Sequence, residues 1–102
     1  MKHTQKVPHF EGDAVLLAQE MGDLYYDSLA ELLHLLAEKI ANDARADAAR
    51  GRERLAQQLN DSSRHLAHAA QHIEQAWQIC KPFVAAHASN SSNTKPHVQT
   101  RT

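Results

Sequence analysis

From Val15 to Ile40 the chain carries more greasy circumference than one neighbouring helix can cover, and that limits what it can fold into. At about 100° per residue, Tyr25, Leu29, Leu32, Leu33, Leu36 and Ile40 share one stripe of a helix. Leu17, Met21, Leu24 and Leu35 form a second stripe beside it. Glu20, Asp23, Asp27, Glu31, His34 and Glu38 take what remains. A surface helix shows an apolar arc of about 100°, whereas this one covers roughly half the circle or more. It calls for at least two neighbours.

The first neighbour is in the sequence. Between Ala44 and Lys81, the positions Leu55, Leu59, Ser62, Leu66, Ala69, Ile73, Ala76 and Cys80 follow in steps of four and three. That is the spacing of helices packed nearly along each other's axes. Trp77 sits beside this seam as its largest anchor. Asp13, after Gly12, is expected to cap the first helix, and Pro82 to end the second. The first stripe fades after Ile40, where Asp43 and Asp47 fall at apolar positions, so the turn is expected at 41–43, with Gly51 as the alternative. The polar "NDSS" stretch at 60–63 does not shift the heptad phase, so the second helix is expected to run through it.

The expected fold is all-α: an antiparallel helical hairpin over residues 12–86, led by a flexible segment 1–11 and followed by a disordered tail, 87–102, rich in Ser, Asn and Thr. Few glycines and prolines, and much alanine and leucine, agree with helices. Residues 13–41 hold six acids against Lys39, while residues 44–81 hold five arginines and Lys81 against four acids, so opposite signs face each other across the pair. A hairpin of this size has a thin core, and its single cysteine allows no internal disulfide. The expected remedy is self-association of two hairpins into a two-fold four-helix bundle. Leu29, Leu32, Leu36, Leu55, Leu59, Leu66, Ile73 and Trp77 are the expected interface, and a helix of another protein could satisfy the same arc.

Function is bounded mainly by exclusion. A net charge of −1 gives no reason to expect nucleic acid, and no apolar run is long enough to span a membrane or act as a secretory signal. Cys80 as the sole cysteine suits a reducing compartment, so a cytoplasmic location is expected. Catalytic motifs and glycine-rich phosphate loops are missing, so the chain is read as a non-enzyme without a cofactor. The competing reading is a transition-metal site. His65, His68 and His72, at i, i+3 and i+7, share one side of a helix, with Asp61 one turn earlier. Glu31 and His34 have the Glu-x-x-His spacing used in ferritin-like bundles. The simpler reading places these imidazoles on a wet flank of the seam. Arg45, Arg50, Arg52 and Arg54 are interrupted by Asp47 and Glu53 and read as a solvated face, and Cys80 as a small buried hydrophobe.

Overall fold

The computed structural model describes residues 3–90, with the backbone alone for 85–90, and among these residues every regular element is a helix. Three follow in order: α1 (Ala14–Gly22), α2 (Tyr26–Ala49) and α3 (Glu53–Asn90). Asp13 caps α1, its side chain accepting from the Leu16 amide at 2.9 Å. The expected single first helix is two. Gly22 and Asp23 are poor helix formers, and the chain breaks there, with Tyr25 extended at φ −53°, ψ 146° before α2 starts. α1 buries no residue and makes only slight contact with the other helices.

α2 and α3 form an antiparallel hairpin, but its turn lies at Arg50–Arg52 and not at 41–43. Asp43 and Asp47, which looked like the end of the apolar pattern, lie within α2. Gly51 takes φ +82°, a left-handed conformation that costs other L-residues about 1–2 kcal/mol. The Arg52 amide donates to the Asp47 carbonyl at 2.9 Å and the Gly51 amide to the Ala48 carbonyl at 3.0 Å, satisfying carbonyls that the helix end would leave bare. The Asp47 side chain is fully buried and accepts from the guanidinium groups of Arg52 at 3.2 Å and Arg50 at 3.4 Å. Both arginines are about half exposed and reach over this carboxylate, which explains an acid at an apolar position.

The contact between the two helices is made of small residues. Ala30, Ala37 and Ala44 recur every seventh residue on α2, and Ala56, Ser63 and Ala70 do so on α3; the five alanines are at most 5% exposed. The Ser63 hydroxyl donates to the Ala37 carbonyl across the pair at 2.8 Å. Counting seven residues each way from that bond sets Ala30 at the level of Ala70, and Ala44 at the level of Ala56. Side chains this short let the axes approach to the lower end of the usual range, about 8 Å. The expected α3 seam is therefore turned by about one residue: Ala56, Ser63 and Ala70 are innermost, where Leu55, Ser62 and Ala69 were expected. Cys80, as expected, is buried.

α3 also runs through "NDSS" unbroken and, contrary to expectation, continues through Pro82 to Asn90. Pro82 is exposed and costs the helix one amide donor rather than ending it. Residues 87–90, expected to begin the tail, belong to α3, and residues 91–102 lie outside the described residues. The radius of gyration is 17.0 Å, against about 13 Å for a compact domain of a hundred residues. The molecule is a rod.

Enlarging the seam should separate the helices. Ala70→Leu is expected to lower stability by about 1–3 kcal/mol. Gly51→Ala is expected to cost about 1–2 kcal/mol and Asp47→Ala about 1–3 kcal/mol. The check is a shift of the urea midpoint, measured at one protein concentration.

Candidate functional site

With only small residues between the axes, the large apolar side chains cannot lie there. On a wheel centred on the alanine row of α2, Leu29, Leu33, Leu36 and Ile40 all fall to one side. On α3, Leu55, Leu59, Leu66 and Ile73 likewise fall to one side of Ala56, Ser63 and Ala70. Because the helices run antiparallel, these two sides make one face of the hairpin. Leu29, Leu32, Leu59, Leu66, Ile73 and Trp77 remain half-buried on it or at its border. Leu36 is 40% and Leu55 44% exposed. The opposite face carries Asp27, Glu31, His34, Glu38 and Arg45 from α2, and Asn60, Arg64, Gln71, Glu74 and Gln78 from α3. The hairpin has a greasy side and a polar side.

At the open end of the hairpin, Tyr25 stacks at a tilt on Trp77, with ring centroids 6.0 Å apart and planes at 41°. Beyond this pair α3 outruns α2, leaving Ile79 72% and Phe83 65% exposed. The expected interface residues thus gather on one surface, with Leu32 turned furthest from α3. Sequence reasoning missed the alanine row that puts them there. Its signal was the recurrence of alanine at every seventh residue, which the larger leucines outweigh in any hydrophobicity reading.

The residues of the metal reading fall in two separate sets, one on each helix. His65, His68 and His72 are exposed on the outer side of α3, roughly opposite the seam and not along its flank as expected. Glu31 and His34 are exposed on the polar face of α2. Among the described residues, no three His, Cys, Asp or Glu side chains come together in a way that could hold a metal ion. The N-terminal segment folds against α1 around a small cleft lined by Val7, Phe10, Gly12 and Leu17 among others. Its volume of about 240 Å³ is below the usual range for ligand pockets. A Cβ on Gly12 would stand 2.5 Å from Leu16 Cδ2 and 2.9 Å from the Phe10 ring, so a larger residue there would push those two side chains aside.

Charge is arranged along the rod. Arg45, Arg50, Arg52 and Arg54 crowd the turn, since the turn lies at 50–52; Arg45 pairs with Asn42, and Arg64 further along with Asp61. The open end, residues 20–31 and 74–84, has five carboxylates and one lysine. Between them, Lys39 meets Asp43 at 2.6 Å, and this ammonium holds the Asp43 carboxyl below its ordinary pKa. No helix of the described residues is long and apolar enough to cross a membrane. No family model, curated protein or solved structure matches the chain.

Because the three imidazoles face outward, replacing His65, His68 and His72 together by glutamine is expected to change stability by less than about 1 kcal/mol. Leu66→Ala, at the border of seam and face, is expected to cost about 1–3 kcal/mol. Thermal or urea unfolding of the two variants checks the contrast.

Proposed function

We propose that the chain is a small non-enzymatic module that works as a homodimer, two hairpins closing their greasy faces into a four-helix bundle and presenting the polar faces to other components. One observation carries this reading: among the described residues the buried side chains are five alanines, Cys80 and Asp47, while no leucine is fully buried. Burial stabilises roughly in proportion to apolar area, about 25 cal/mol per Å², so a seam of methyl groups contributes little and the leucines offer the larger gain. A second copy fits as the occupant because a two-fold contact needs a surface matching itself. The face provides leucines from both helices at one level, and the rod has opposite charge excess at its two ends. The cytoplasm, as a reducing compartment, suits the single buried thiol.

Sedimentation at micromolar concentration should give twice the protomer mass, and a folded monomer would overturn the reading. Leu36→Glu combined with Leu55→Glu should yield a helical monomer. Both residues are exposed in the hairpin, yet each introduced carboxylate would be desolvated in the bundle, at a cost of several kcal/mol.

A further inference from the structure

The proposed dimer leaves open how the hairpins are oriented, and the structure constrains that choice. A face-to-face pair has two two-fold arrangements. With the turns at the same end, α2 lies over α3 of the second copy. With the turns at opposite ends, α2 lies over α2 and α3 over α3, each crossing its own counterpart antiparallel.

We infer that the two copies pair with their turns at opposite ends. This rests on the self-association proposed above, and two features of the chain support it separately. The first is the axial charge. Four arginines surround the turn, against Asp43, Asp47 and Glu53, while the open end has five carboxylates and Lys81. Opposed turns bring each arginine-rich tip to the acid-rich end of the other copy. Aligned turns would set the two acidic ends side by side, a like-charge juxtaposition that disfavours that mode.

The second feature is shape. The leucines of α2 centre between Leu32 and Leu33, and the Ser63–Ala37 register places that level between Ala67 and His68 on α3. With a two-fold axis at this level, Leu66 meets Ala69 of the second copy, Ile73 meets Ser62, and Leu59 meets Ala76. On α3 each large side chain faces a small one, as interdigitated layers require, while on α2 leucine meets leucine, Leu29 with Leu36 and Leu32 with Leu33. Ser62 and Ala69 are exposed and Ala76 half-exposed in the protomer, so the hollows are open to be filled.

The test is a spin label at Ala49→Cys, an exposed site beside the turn, in a Cys80→Ala background of the full chain. Opposed turns put the two labels about 50 Å apart, from about 17 residues of helix on each side of the axis at 1.5 Å per residue. Double electron–electron resonance should show that distance, in a sample that sediments as a dimer. A dimer with a distance of less than about half that value would overturn the orientation and leave self-association standing. A folded monomer without any inter-label distance would overturn both. A second set of variants is independent of the label. Ala69→Leu should weaken the dimer at least tenfold while circular dichroism shows the hairpin intact, and adding Leu66→Ala should restore much of the loss, because the swap rebuilds a large–small pair. Absence of that restoration counts against the opposed arrangement.

Discussion

The whole architecture depends on how closely α2 and α3 approach. Five alanines and one serine, seven residues apart on each helix, allow backbones to meet where leucines would hold them off. Close approach gives good van der Waals contact between the backbones, but it buries little apolar area per residue. It also leaves no room between the axes for Leu29, Leu33, Leu36, Leu55, Leu66 and Ile73. Those residues are displaced together to one face, and that displacement gives the hairpin its two unlike sides. The greasy face is thus a direct product of the seam.

The tip shows how a charged residue can occupy a core position. Asp47 lies where the heptad calls for an apolar side chain, and it is buried because Arg50 and Arg52 fold back over it from the turn. Its backbone carbonyl and its carboxylate both bind Arg52, one through the amide and the other through the guanidinium. The left-handed Gly51 is what sends the chain back at the right angle for this. A single short segment closes the helix, neutralises a buried acid and concentrates four arginines at one end of the rod. That last effect gives the molecule its axial charge.

Much of this was legible in the sequence, and the failures have physical causes. The helical class, the antiparallel pair, the Asp13 cap, the continuity through "NDSS" and the burial of Cys80 all follow from periodicity and capping chemistry. The turn was misplaced because Asp43 and Asp47 look like breakers when their partners, Lys39 and the arginines three and five residues after Asp47, are not considered. The seam was set one residue out because leucine dominates any reading of hydrophobic phase, whereas contact between the helices is governed by where side chains are short. The break at Gly22–Asp23 had a visible signal in two adjacent poor helix formers. Pro82 did not stop α3, because a proline in an exposed stretch costs a helix one hydrogen bond and some strain, which neighbouring turns can tolerate. For the histidine row, spacing correctly placed the three rings on one side of the helix but could not tell which side faces the other helix.

A seam that repeats every seven residues has an ambiguity built into it. Sliding α3 along α2 by one repeat would again bring small side chains level with small side chains, so the alanines alone cannot choose an alignment. The closed tip makes that choice. Shift the pair by a repeat, and Gly51 is drawn into a helix, its left-handed geometry is lost, and Arg52, five residues on, turns away from Asp47. The hairpin therefore resembles a zipper with a fixed end stop: the teeth hold it shut, and the stop decides which teeth meet.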